Sequence, residues 1–381
     1  MTFADLAEKH DEFYAPTFEV RVGNATQGFP SPDRYTGDEG LVSGLSVETS
    51  AGRGRINRFS FELNDVFDRQ DGPNGAFDEG VQSAFTGGSD VEIEMGYGDG
   101  KTTLLRGRID SVKPKFPAQG APSLSVEGYD FLQGLRSGTG SGHWEDTDLK
   151  SIVTDLVSDQ AFASTEIDTG GVSIGNRQHP ETSDYEFLKR LAREHDAEFF
   201  SRAGTFHFRR QSLASELSPE AELRYGRALR SFTPGTANPR SGDSDSGSGR
   251  VGTVEVRHND ETKGEAIVGT AEVAGGGEQT RVETVPVRSQ AEAEQRARSI
   301  AGEIERVGDV QSRTSEGPGG DRRAGSRGET LGLPEIQAGR VLDLGGLGSE
   351  FSGSYYVEST THRIDESGYT TAFELRRLSN E

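Results

Sequence analysis

The residue types that usually carry chemistry are present in this chain, but not in the spacings that chemistry needs. The seven histidines stand at 10, 143, 179, 195, 207, 258 and 362. None falls in an HxxxH or HExxH pattern, so the helical zinc signature is missing. His195 and His207 belong to one predicted helix–hairpin unit and could approach each other; packing or surface histidines are the favoured reading over a metal pair. Asp243-Ser244-Asp245 opens like a calcium loop, yet the glycine and terminal glutamate of an EF-hand do not follow. EGPGGDRRAG (316–325) is rich in glycine and arginine but has no GK[ST] and no strand leading into a helix, which argues against a phosphate loop. No G-x-S-x-G elbow occurs. With 63 acidic residues, nothing singles out two carboxylates for glycoside cleavage. The chain has no cysteine, which excludes disulfides, thiolate metal sites and cysteine nucleophiles. The expectation is a protein that is not an enzyme, with no cofactor, no metal and no catalytic residue.

Charge and composition narrow the class further. The chain has 381 residues, a formal charge of -22, and 41 basic residues, of which seven are Lys. The acids are spread along the whole length. Phosphate backbones require a basic footprint, so nucleic-acid specificity is not expected. A scattered acidic excess suits a protein kept soluble in concentrated salt, which points to a halophilic host. Only 31% of residues are hydrophobic, but 20 Phe and 9 Tyr supply enough apolar bulk for several cores. The first residues, MTFADLAEKHDEFYAP, carry acids where a secretion signal needs an apolar run. No stretch has the length of a membrane span. Assembly in the cytoplasm, without membrane insertion by the chain itself, is expected.

The elements that would position any site follow from periodicity. Residues 2–14 have a helical face formed by Phe3, Leu6, Ala7, His10 and Tyr14, stopped by Pro16. So short a helix needs a docking surface, on its own chain or on a neighbour. Period-two segments then run from Thr17 to Asp130, separated by Gly/Asp/Asn/Pro clusters such as QDGPNG and GYGDGK. Helical spacing appears at 148–160 and 183–196, the latter with a Ser183/Glu186 capping box. A hairpin turning at Ala203-Gly204 follows. Strands return from Leu223, interrupted by a polar loop at 239–250, a helix at 289–307 and a second loop at 316–329. The alanine and isoleucine stripe of that helix is expected to pack on its own domain. The predicted fold class is mainly β with an α+β insertion: two tube-type antiparallel β-barrel domains flanking a small α+β domain. The expected divisions are an N-terminal helical arm (1–16), a first barrel (17–140), the insertion (141–215) and a second barrel (216–381).

Two stretches have the same layout. VEIEMG (91–96), LLRGRIDSV and SLSVEGYD form one three-stranded meander. VLDLGG (341–346), FSGSYYVESTTHRID and YTTAFELRR form another. Each has a glycine in its middle strand, Gly107 and Gly353, which suggests an internal duplication. Two equivalent β domains per chain would let three copies present six similar units around an axis.

On these residues the chain resembles the phage late control D family, the baseplate hub proteins of contractile tails. That family includes the hub part of valine-glycine repeat spike proteins and the hubs of contractile injection systems. The resemblance is carried by Pro16–Val20 after a short helix, VEIEMGYGDGKTTLLRGRIDSV (91–112), SLSVEGYDFLQGL (123–135), Trp144, and SDYEFLKRLAREHDAEFF (183–200). SQAEAEQRARS (289–299) and the segment 332–365 continue it in the same order. It implies a homotrimer with pseudo-sixfold symmetry that adapts a hexameric inner tube protein to a trimeric spike, inside a virion tail or injection particle. A separate spike protein and other baseplate proteins are the implied partners. The candidate interface residues are Phe3, Leu6, Phe13 and Tyr14 on the arm, with Tyr97, Asp99 and Tyr129 in the first barrel. Phe351, Tyr355 and Tyr356 complete the set in the second. The loops 70–80, 96–101 and 366–368 are candidate contact elements. Two other readings remain open: a cell-surface or polysaccharide-binding β protein, and a cell-wall hydrolase.

Overall fold

A computed structural model describes the chain except residues 11–12, 24–33, 37–40, 53, 69–74, 236–250, 261–264, 274–276, 278, 286, 288, 309–324 and 379–381. The polar loop 239–250 with its Asp-Ser-Asp, the first part of the loop 316–329 and much of the loop 70–80 therefore lie outside the described residues. The described chain divides into two compact units. The first comprises Met1–Lys189, Glu198–Pro234 and Ser326–Glu381; the second comprises Arg190–Ala197 and Gly235–Gly325.

The fold is mainly β. In the first unit, six main strands come before the α+β insertion: β1 (Pro16–Gly23), β2 (Val42–Ser50), β3 (Arg58–Leu63), β4 (Asp90–Tyr97), β5 (Gly100–Lys115) and β6 (Ser123–Asp130); a short strand, Arg34–Thr36, pairs with the outer edge of β1, and Phe67–Asp68 pairs with Ala76–Phe77. Six more follow it: β7 (Ala221–Arg224), β8 (Leu229–Thr233), β9 (Ser326–Leu331), β10 (Val341–Gly345), β11 (Gly353–Asp365) and β12 (Gly368–Arg377). In space the first six lie in the order β1-β4-β5-β6-β3-β2 and the second six in the order β7-β10-β11-β12-β9-β8. Each strand of the first set therefore has a counterpart six places later. The sets differ in one pairing: β1 runs antiparallel to β4, whereas β7 runs parallel to β10.

The match extends to register. Val91, Gly107 and Asp130 form one row across β4, β5 and β6. Leu342, Tyr355 and Arg377 form the equivalent row across β10, β11 and β12. In each set the middle strand then carries a bulge at the same step, at Asp110 and at Glu358. A second row, Ser46–Ser60–Glu127–Ser111, corresponds to Thr233–Arg327–Glu374–Ser359. Bulges bend a strand and fix its register, so their coincidence marks two copies of one architecture. Gly107 and Gly353 both stand in the middle strand of their meander, but by register Gly107 corresponds to Tyr355. Gly107 is required by contact instead, because a Cβ there would stand 2.1 Å from the Tyr129 carbonyl oxygen.

Each set covers its own core. Period-two alternation turns Phe18, Val20, Val47, Phe59, Phe61, Ile93, Met95 and Val126 into one cluster. Leu223, Leu229, Leu342, Leu344, Tyr355, Val357, Phe373 and Leu375 form the other. The sheets are continuous because β11 also pairs with β2, from Ser359–Ser50 to Ile364–Leu45.

The insertion between β6 and β7 follows local rules. Asp148 accepts the Ser151 amide at 2.7 Å and starts helix Leu149–Val157. Ser183 accepts the Glu186 amide at 3.3 Å at the start of Asp184–Glu194. The hairpin of Ala197–Arg202 with Thr205–Arg210 turns through Ala203 (φ 49°) and Gly204 (φ 84°), both left-handed, as a two-residue primed turn demands.

The second unit departs from the expected second barrel. Its strands Val251–Asp260, Glu265–Glu272 and Gln279–Thr284 form a separate three-stranded sheet. The helix Gln290–Gly308 packs on that sheet through Ala293, Ala297 and Ala301. A Cβ at Gly269 would stand 2.1 Å from the Ala293 backbone, so glycine and alanine let helix and strand approach closely. Small residues on the helix and valines on the sheet give this unit its own core, in place of strands added to β7–β12.

Candidate assembly surface

Among the described residues no group of three or more His, Asp and Glu could hold a metal. His207 lies over the Phe200 ring at 4.9 Å and meets Glu166 at 3.2 Å. Burial, reinforced by Arg202, Arg209 and Arg340, pushes its imidazole down to about 3. His195 meets Gln295 at 3.3 Å within the second unit.

What the strands do build is a joint between the two β sets. Along β2 and β11, Thr49 Oγ1 and Thr360 Oγ1 are 2.7 Å apart and buried, and the Ala51 amide donates to the Glu358 carbonyl at 2.8 Å. Leu45 is fully buried and Ile364 nearly so. His362 sits in the same strand with no exposed surface. Its Nε2 lies 2.9 Å from the Ile336 carbonyl, and its Nδ1 is 2.9 Å from the Tyr369 hydroxyl. Burial lowers His362 to about 4, so the ring is neutral near pH 7. A carbonyl only accepts, hence Nε2 carries the proton and Nδ1 accepts from a hydroxyl.

The N-terminal helix, Phe3–Lys9, docks on its own chain. Thr2 and Asp5 form a capping box, and Leu6 joins the second core. The Met1 ammonium donates to the Glu220 carbonyl at 2.8 Å, and the Glu222 amide donates to the Met1 carbonyl at 2.9 Å. Lys9 and His10 both reach Glu335, at 2.7 and 2.8 Å. Burial pushes the Glu335 carboxyl up, but hydrogen bonds from His10 and Lys9 outweigh it and bring the group down to about 2. Phe3, Phe13, Tyr97 and Tyr369 continue the contact as a chain of rings 5.4–5.7 Å apart.

This docking corrects part of the expected interface. Leu6, Tyr97, Tyr355 and Tyr356 are buried inside the chain, because strand and helix phase points them inward. The Tyr356 hydroxyl donates to Glu198 at 2.7 Å and accepts from Arg209 at 3.0 Å. Phe3, Phe13, Tyr129 and Phe351 are half-buried, while Tyr14 and Asp99 are exposed. The contact loops 96–101 and 366–368 are the tight turns between β4 and β5 and between β11 and β12.

The outer face of β1, β4 and β5 is occupied by ion pairs. Arg21 bridges Glu19, Glu92 and Glu94 at 2.7–3.0 Å. Arg106 pairs with Glu92 and Arg108 with Asp90, each at 2.8 Å. Glu19, Asp90 and Glu92 are buried beneath arginine side chains and Glu94 is half-buried, an arrangement that holds strands in register.

Sequence reading overlooked the far end of β5. Lys113, Pro114 and Lys115 are exposed there, and Phe116 leaves 65% of its surface open. Its ring meets Phe67 and Phe77 edge-on at 5.8 and 5.7 Å. The signal was an aromatic residue between lysines and prolines, where a loop would be polar.

Comparison with known proteins bears on this arrangement. The family model described as Alg8 N-terminal domain matches residues 42–366, from β2 through β11. No curated protein sequence matches the chain. Among solved structures it is similar to the 43 kDa tail protein of prophage MuSo2 from Shewanella oneidensis: TM-score 0.67, 14% identity, 95% of this chain and 98% of that one. A tail protein from Neisseria meningitidis MC58 gives TM-score 0.63 and 13% identity, over 95% of this chain and 96% of that one. An E. coli protein described as a component of the type VI secretion system, similar to two T4 tail proteins, gives TM-score 0.52 and 12% identity, over 95% of this chain and 77% of that one. The fold is thus the one these tail and secretion-system proteins share.

Proposed function

We propose, for a chain that belongs to the Alg8 N-terminal domain family, a structural and non-enzymatic role: the baseplate hub of a contractile tail or injection particle. Three copies form a ring of pseudo-sixfold symmetry, with one face on the hexameric inner tube and the other on a separate trimeric spike, among other baseplate proteins. The late control D resemblance and the fold shared with tail proteins support this reading. The observation that carries it is the repeated strand order, β1-β4-β5-β6-β3-β2 and β7-β10-β11-β12-β9-β8, with matching bulges. Two equivalent blocks per chain are what a trimer needs to imitate a hexagon.

The charge of -22 supports an origin in a salt-rich host cytoplasm, where surface carboxylates stay hydrated. Co-expression with an inner tube protein and a spike protein from the same source tests the role. Electron microscopy should find this chain as a single ring at one end of each tube. Tubes that never carry it, in the presence of the spike protein, would contradict the reading.

A further inference from the structure

The joint between β2 and β11 has an equivalent that this chain leaves open. Superposing the two β sets by register places Ser111 on Ser359 and Phe116 on Ile364. It likewise places Phe232 and Thr233 of β8 on Leu45 and Ser46 of β2. The segment 359–364 of β11 receives β2, but past Ile109 no described strand pairs with the corresponding edge of β5. The outer side of β8 beyond Leu229 is also without a described partner strand.

We propose that these two edges meet between copies: the end of β5 in one chain receives the outer edge of β8 from a second copy, in the register of the β2·β11 joint. Phe116 then faces the second copy's Phe232, as Ile364 faces Leu45 within the chain. Lys115 faces Thr233, as Arg363 faces Ser46. The side chains agree with this. Ile364 is 8% exposed in the closed joint, whereas Phe116, its counterpart, is 65% exposed.

Pro114 and Pro234 fall opposite each other in this register, so the backbone ladder is short and the aromatic pair carries the contact. Prolines on an edge also deter unregistered strand addition. One edge differs from the other, so the contact is head-to-tail, the kind that generates a ring when its rotation closes. The number of copies rests on the hub reading; the choice of edges does not.

The natural chain has no cysteine, which makes a disulfide test clean. Cα atoms facing each other across antiparallel strands lie about 4.5–5.5 Å apart, within disulfide range. The double variant Lys115→Cys/Thr233→Cys should oxidise to a covalent species of three chains. The two single variants, mixed, should give one linked pair of chains. The variant Phe116→Lys, folded by circular dichroism, should weaken self-association at least tenfold. A trimer by native mass spectrometry that neither cross-links nor responds to Phe116→Lys would overturn the edge assignment and leave the hub reading intact. A chain that stays monomeric even inside tube–spike complexes would overturn both.

Discussion

Leu45 of β2 and Ile364 of β11 face each other across the joint of the two β sets, far apart in sequence and both buried. Leu45→Ala should cost about 3 kcal/mol, the usual effect of emptying a packed core position. Urea denaturation would read it as a lower midpoint at unchanged slope. A shift below about 1 kcal/mol would mean the joint is loosely packed.

Gly107 holds the bulged centre of the first set. A Cβ there would stand 2.1 Å from a backbone oxygen, whereas one at Gly23 meets nothing within 4 Å. Gly107→Ala should therefore destabilise by about 2 kcal/mol or more, while Gly23→Ala stays within about 0.5 kcal/mol. Paired thermal melts distinguish the two sites.

Acid should loosen the same region in two stages. His362 falls from 6.5 to about 4 on folding, so the unfolded chain binds the extra proton. Its contribution is complete above pH 6.5 and is lost as pH drops toward 4, by about 3 kcal/mol in all. Glu335 falls from 4.5 to about 2, so its contribution is lost from pH 4.5 downward. Stability measured from pH 8 to 4 should decline below 6.5, and His362→Gln should make that decline shallower, with buried His207 accounting for the slope that remains. An unchanged slope in the variant would assign the decline to other groups.

Tyr356 ties the insertion to the second β set. Its hydroxyl holds Glu198 and Arg209, and all three side chains are largely buried. Tyr356→Phe keeps the ring but leaves the carboxylate one donor short, which should cost about 2 kcal/mol. A melting temperature equal to the parent would show that Arg209 alone satisfies Glu198.

Local chemistry made part of this structure legible in advance. The Ser183 cap, the Ala203-Gly204 turn and the two meanders depend on neighbouring residues, and each stands where its signature lies. Partner choice is non-local and escaped. The strands at 251–284 alternate like those of β7–β12, yet a helix with alanines at 293, 297 and 301 gathers them into a separate unit. Tyr97, Tyr355 and Tyr356 stand among polar residues, and only strand phase reveals that they turn inward. Phe116 was missed because its meaning comes from Ile364, its counterpart in the other set, and that equivalence lies in strand pairing and not in residue identity.

Native mass spectrometry of the purified chain in high salt tests the central claim most directly. The account predicts a particle of three chains, without dimers, that falls apart when Phe116 becomes Lys. A stable dimer would contradict it, since two copies supply four blocks and cannot match a hexameric tube.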